Sequence, residues 1–254
     1  MKVVILCGGK GYRLQEETEF KPKPLVPIGG RPILWHIMRN YVLYGYREFI
    51  LCLGYRGDMI KDYFVNYDLQ NGDITVKLGE GSIKYEDKHN ENCDVTLAET
   101  GLNTMTGGRL KRIQKYINDD TFMVTYGDGV SDINIGDLLK YHNNHGKIAT
   151  VSAFHPISRF GVLDLDRAGM VRRFDEKPIE NDYINMGFFV FNKKIFDYLD
   201  GDSCVLEQEP LRKLAKNGEL MAYKHEGVFH VMDTYRDYIS LNEVWNKGEA
   251  KWTK

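Results

Sequence analysis

The sequence predicts an α/β fold: one three-layer domain built on a mixed, mostly parallel sheet. Three observations predict it. Lys2 to Cys7 is a run rich in β-branched residues, continuously apolar from Val3, cut off by Gly8, Gly9 and Gly11, the pattern of a strand buried on both faces. Such runs then alternate with segments of helical period as far as Tyr67, which is how parallel sheets are wound. Buried-strand texture returns at Thr121 to Thr125.

The elements follow in order. From Pro32 to Tyr44, Ile33, Leu34, Ile37, Met38, Tyr41 and Val42 recur at helical spacing, and Pro32 suits a first helical turn. Glu48 to Leu53 reads as a second buried strand and Asp58 to Tyr67 as a second helix. Residues 72 to 96 are polar, with short alternations that suggest small antiparallel strands or an extended excursion. Further strands are expected at Lys147 to Phe154, Gly161 to Leu165 and Phe188 to Phe191, and a last helix at Tyr235 to Trp245. No repeat or linker interrupts the chain, so residues 1–254 are read as one domain.

Composition narrows the function. Hydrophobic residues are 43% and charged residues 28%, an ordinary globular balance. The formal net charge of -2 provides no basic field for nucleic acid, though a few placed donors can still hold a phosphate. No apolar run reaches the length of a membrane span. MKVVILCGG is too short an apolar stretch for a signal peptide and ends in glycines. Cys7, Cys52, Cys93 and Cys204 form no CxxC pair, as expected of free thiols in a cytoplasmic protein.

A strand followed by GGKGYRL invites a phosphate-loop reading. It lacks the GxxxxGK[ST] of a Walker A loop, and Leu14 stands where GxGxxG needs its third glycine. What remains is a glycine turn whose N–H groups face an anion, with Arg13 adding charge. A tight strand end can also need glycine with no ligand at all. Lys21 and Lys23, between Pro22 and Pro24, repel one another unless an anion lies between them. The plainer reading is a solvated basic loop; beside Arg13, a polyphosphate site is the better one.

These residues carry a resemblance. GGxGxRL followed by KPKP is similar to the sugar-nucleotide pyrophosphorylases. TGLNTMTGGRLKRI, TYGDGVSDI, RFGVLDL, FDEKP, EQEPL and MDTYRD, in that order, resemble the glucose-1-phosphate cytidylyltransferases over nearly the whole chain. The resemblance implies a Rossmann-like nucleotidyltransferase domain that joins CMP, from CTP, to a phosphorylated small molecule and releases pyrophosphate. Glucose 1-phosphate is the implied acceptor, and the product a CDP-linked precursor of capsule or other surface polysaccharide. Arg13 and Lys23 would be the catalytic cations. Gly8, Gly9, Gly11, Thr106, Gly107, Gly108 and Arg109 would bind the nucleotide, with Thr106 to Gly108 giving close approach to a flat base and Arg109 donating to cytosine. Asp128 and Asp233 would hold Mg²⁺, or Mn²⁺ in its place; oxygen ligands from a few carboxylates and phosphates suit such an ion. An aspartate between glycines is also an ordinary turn former. Asp132 is either a supporting group behind the site or the cap of the next helix.

Glu176, Lys177, Asn185 and Met186 stand where the resemblance implies acceptor contacts. Here the chain also departs from the family pattern. Met186 replaces a glycine and Leu206 a tryptophan; Phe229, His230 and Val231 replace Trp-Gln-Pro; Tyr12 replaces a threonine. Lost polar contacts alter specificity, which opens a second acceptor class: the phosphoglutamine cytidylyltransferases of capsule phosphoramidate pathways use L-glutamine phosphate. Neutral repacking, which Met tolerates well, is the alternative. His230 and His36 are read as structural. A non-catalytic nucleotide-binding regulator and a glycosyltransferase are the rivals. Two retained metal carboxylates argue against the first, and the KPKP lysines against the second. Relatives are often homo-oligomers, with residues 72 to 96 as a contact region.

Overall fold

The computed structural model describes residues 1–86 and 92–253. The chain opens on β1 (Lys2–Leu6), buried from Val3 onward as an interior strand requires. A single helical turn, α1 (Gln15–Thr18), and a tight ribbon of β2 (Pro27–Ile28) and β3 (Arg31–Pro32) follow. α2 (Ile33–Leu43) buries Ile33, Leu34, Ile37, Met38 and Tyr41, one apolar stripe at helical period. Pro32 is its N-cap residue rather than part of its first turn. β4 (Glu48–Leu53) runs parallel to β1 with Lys2 opposite Glu48. The expected second helix is two, α3 (Gly57–Val65) and α4 (Tyr67–Asn71), parted at Asn66.

Residues 72 to 96 contain the expected antiparallel ribbon, β5 (Ile74–Lys77) with β6 (Ser82–Tyr85). They also contain the start of β7 (Asp94–Glu99), which is not part of an excursion but a parallel strand of the main sheet beside β4. Its polar texture has a physical cause: β7 is an edge strand, and only Ala98 along it is buried. Residues 87–91 of that expectation lie outside the described residues.

The second half runs α5 (Thr106–Ile113), β8 (Thr121–Tyr126), β9 (Gly129–Ser131), α6 (Ile135–His145) and β10 (Ala149–Phe154). A hairpin of β11 (Val162–Leu165) and β12 (Val171–Asp175) comes next, then β13 (Ile184–Asn192), α7 (Glu209–Lys216), β14 (Leu220–Lys224), β15 (Phe229–Val231) and α8 (Tyr235–Asn246). Seven strands form one sheet in the order β14-β10-β13-β8-β1-β4-β7. All neighbours are parallel except the two pairings made by β13, so the sheet is mixed and mostly parallel, as expected. Alternate residues of each strand feed two cores. Val3 and Ile5 pack with α2, α6 and α8 on one face; Val4 and Leu6 pack with α5 and α7 on the other. These are the three layers.

Candidate active site

The carboxyl ends of β1 and β8 meet in a cleft of about 430 Å³ lined by Gly8, Gly9, Gly11, Tyr12, Arg13, Lys23, Thr104, Met105, Thr106, Arg109, Tyr126, Asp128 and Asp233, among others. That is where a doubly wound sheet binds its ligands.

Two aspartates are brought there by one small ribbon. β9 and β15 pair antiparallel with Gly129 opposite Val231, and Met232 N donates to the Asp128 carbonyl at 2.9 Å. Asp128 and Asp233 therefore share one end of the ribbon although they are far apart in sequence. At its other end Asp132 Oδ1 accepts from Val228 N at 2.7 Å and meets His225 Nε2 at 2.9 Å. Asp132 is thus a supporting group behind the site; the helix cap is Asn134, whose side chain accepts from Asp137 N.

Lys23 sits in a 3₁₀ turn between Pro22 and the buried Pro24. Its Nζ lies 3.0 Å from Asp128 Oδ2 and 3.0 Å from Asp233 Oδ1. Arg13 Nη1 approaches Asp233 Oδ2 at 2.5 Å. Two acids and two bases neutralise one another, and Lys23 and Asp233 expose only 11% and 15% of their side chains, so the attraction is little screened by solvent. Lys21 does not join them. It pairs with Glu17 at 3.8 Å, which relieves the repulsion the sequence implied.

The glycines divide by cause. A Cβ on Gly8 would fall 2.1 Å from the Arg109 guanidinium, so Gly8 makes room for that side chain. Gly11 has φ +64 and needs the left-handed region. A Cβ on Gly9 would meet nothing within 4 Å, so no protein contact demands glycine there. Arg109 is buried and donates to Leu53 O (2.9 Å), Thr100 Oγ1 (2.8 Å), Gly101 O (2.8 Å) and Gly8 O (3.0 Å). It rivets the ends of β1, β4 and β7, and burial pulls its pKa down. Gly107 and Gly108 are required by packing. Their missing Cβ atoms face Cys204 Sγ at 2.6 Å and Asp202 O at 2.7 Å, so they admit the 201–204 segment against α5, and neither lines the cleft.

The expected acceptor residues are not assembled in the cleft. Glu176 and Lys177 follow β12 with 62% and 53% of their side chains exposed, and neither lines it. Asn185 Nδ2 donates to Tyr126 Oη at 3.4 Å. Met186 is 2% exposed, packed in the core, and does not line the cleft. Leu206 is 0% exposed in the other core. His230 stacks its edge on Trp252 at 5.6 Å, and burial lowers its pKa. His36 is buried with Nε2 on Ile28 O at 2.9 Å, a structural role as expected. Tyr12 alone among the departures named lies in the cleft, exposed.

Two residues went unassigned by sequence. Tyr126 Oη donates to Glu207 Oε1, and Thr106 Oγ1 donates to Glu207 Oε2 at 2.7 Å. Burial and the neighbouring Glu207 carboxylate push the Tyr126 pKa up, so the phenol stays protonated. Glu207 lies in the EQEPL string, but nothing local announces a bond to a tyrosine so far back in the chain.

The family model for nucleotidyl transferases matches residues 2–239. The chain is 51% identical to the glucose-1-phosphate cytidylyltransferase of Salmonella typhimurium, over 99% of this chain and 98% of that protein. It is 46% identical to the probable glucose-1-phosphate cytidylyltransferase of Bacillus subtilis, over 99% of each. The crystal structure of HddC from Yersinia pseudotuberculosis complexed with GMP-PN superposes with a TM-score of 0.69 at 25% identity, covering 96% of this chain and 99% of that one. The chain belongs to the nucleotidyl transferase family.

Proposed function

We propose that this member of the nucleotidyl transferase family transfers CMP from CTP to glucose 1-phosphate and releases pyrophosphate. One observation carries most weight: Lys23 Nζ is shared at 3.0 Å by two carboxylates, Asp128 and Asp233, that lie far apart in the sequence. That cluster is what a triphosphate with a dication needs, since acids and bases can exchange partners without leaving any charge unpaired. The identity to the Salmonella typhimurium cytidylyltransferase supports CTP as donor and glucose 1-phosphate as acceptor.

Asp128 and Asp233 fit Mg²⁺. Among the described residues no group of three or more His, Cys, Asp or Glu side chains could hold a metal, and Mg²⁺ is commonly held by one or two carboxylates plus substrate phosphates. Mn²⁺ fits the same donors. Such an ion would neutralise phosphate charge when bound. The protein's own share is positioning and charge. The acceptor phosphate oxygen forms a bond to the α-phosphorus of CTP, the bond from that phosphorus to the α–β bridging oxygen breaks, and pyrophosphate leaves carrying the bridging oxygen. Arg13 and Lys23 meet the triphosphate and the charge that grows on the leaving group. Gly9, open to the cleft, allows close backbone approach. Glu176 and Lys177 serve the acceptor, whose CDP-linked product feeds surface polysaccharide.

A second acceptor reading, L-glutamine phosphate, is favoured by one observation: Tyr12, the departure that does face the cleft. An assay of pyrophosphate release tests both. CTP with glucose 1-phosphate and Mg²⁺ is expected to turn over faster than with other nucleoside triphosphates. Turnover with L-glutamine phosphate alone would move the acceptor assignment, and no pyrophosphate with any phosphorylated acceptor would remove the function.

A further inference from the structure

We propose that Glu207 is a positioning residue that ties the nucleotide half of the cleft to its acceptor half, an inference that rests on the function proposed above. Residues 202–207 lie as a strap across the start of α5. Met105 N donates to Asp202 O at 2.8 Å, Gly108 N to Cys204 O at 3.1 Å, and Leu206 N to Thr106 Oγ1 at 2.9 Å. The strap ends on Glu207, whose two carboxylate oxygens take the hydroxyls of Thr106 and Tyr126. Tyr126 Oη in turn accepts from Asn185 Nδ2 at 3.4 Å. The row Asn185–Tyr126–Glu207–Thr106 thus runs from an acceptor candidate to a nucleotide candidate, and both hydroxyl residues line the cleft.

Hydrogen-bond polarity makes the row directional. A carboxylate only accepts, so both hydroxyls must donate to it. Thr106 gives its one proton to Glu207 and takes the Leu206 N–H on its oxygen, which fixes the start of α5. Tyr126 gives its proton to Glu207 and keeps its lone pairs for Asn185. Glu207→Gln sets an amide N–H₂ against one of two donors, so that hydroxyl must rotate its proton away and accept instead, in competition with the N–H group it already accepts. Movement on either side is then passed to the other.

The test compares Glu207→Gln, Thr106→Val and Tyr126→Phe for KM of CTP, KM of glucose 1-phosphate, melting temperature and calorimetric CTP affinity. Losing one bond to a charged group is worth on the order of tenfold. E207Q is expected to raise both KM values by about that factor. T106V should raise mainly the KM for CTP, and Y126F mainly that for the acceptor. Each should also raise the other's KM roughly threefold, because coupled groups fail additivity. E207Q melting earlier with both KM values unchanged overturns the inference: Glu207 would then only hold the strap. Should E207Q not fold, T106V and Y126F decide, and strictly separate effects overturn the coupling. CTP affinity reads the same order without turnover: weaker in E207Q and, less so, in Y126F. CTP affinities that follow this order, with a wild type that transfers nothing, would cost the proposed function alone.

Discussion

At the phosphate end of the cleft, Lys23 holds Asp128 and Asp233 at 3.0 Å each, with 11% of its side chain exposed. Outside that cleft, the proposed acceptor residues Glu176 and Lys177 stand 62% and 53% exposed at the foot of a two-stranded hairpin. In the first set Asp128 follows β8, an interior strand of the main sheet, Asp233 follows β15, and the backbone bonds of the β9–β15 ribbon hold the two together. The second hangs from β11 and β12, whose residues are exposed along nearly their whole length, and an isolated two-stranded ribbon is at best marginally stable. The difference teaches which part of the chemistry is pre-organised. Charge stabilisation at the phosphates demands groups in place before reaction, while acceptor contacts can form as the acceptor binds.

If that contrast holds, damage at the phosphate end costs rate and damage at the acceptor end costs affinity. Asp233→Ala should have the largest effect, a kcat loss on the order of 10³-fold with CTP affinity much less changed; steady-state kinetics beside calorimetry measures the split. Lys23→Met should lower kcat/KM for CTP by about 10²-fold. It should also tighten Mn²⁺ binding without nucleotide, because it leaves two carboxylates facing each other; electron paramagnetic resonance titration reads this. Asp132→Asn loosens the far end of the ribbon, and a Mn²⁺ affinity or activity loss of roughly tenfold is expected, as for groups that orient metal ligands. Lys177→Ala should be the mildest, raising the KM for acceptor several-fold through one lost charge-assisted contact and leaving the KM for CTP alone. Equal effects of Lys177→Ala on both KM values would break the contrast.

The same contrast governs what the sequence made legible. β1, β4 and β8 announce themselves because both faces of the sheet are covered and their apolar residues run nearly without a break, and α2 because its apolar stripe recurs at helical period. β7 hides because an edge strand may stay polar. Arg13, Lys23, Asp128 and Asp233 are readable as charges beside glycines and prolines, residues that fix backbone direction. The partner each charge takes is not readable: Lys21 leaves for Glu17, and Arg109 spends its donors on protein carbonyls. Gly107 and Gly108 mislead because a glycine marks close approach without naming what approaches, here Asp202 and Cys204. Met186 and Leu206 mislead because a position beside a site in sequence can still point into the core. Tyr126 and Glu207 are missed since their bond joins residues that only the completed sheet brings together.

Transfer at the α-phosphorus of CTP is tested most directly by following an ¹⁸O label. Glucose 1-phosphate labelled in its phosphate oxygens is incubated with CTP and Mg²⁺, and the products are read by ³¹P NMR. The account predicts that the label stays with the CDP-linked product, one atom of it bridging the two phosphorus atoms, and that pyrophosphate is unlabelled. Label in pyrophosphate, or free CMP in place of a linked product, would contradict it.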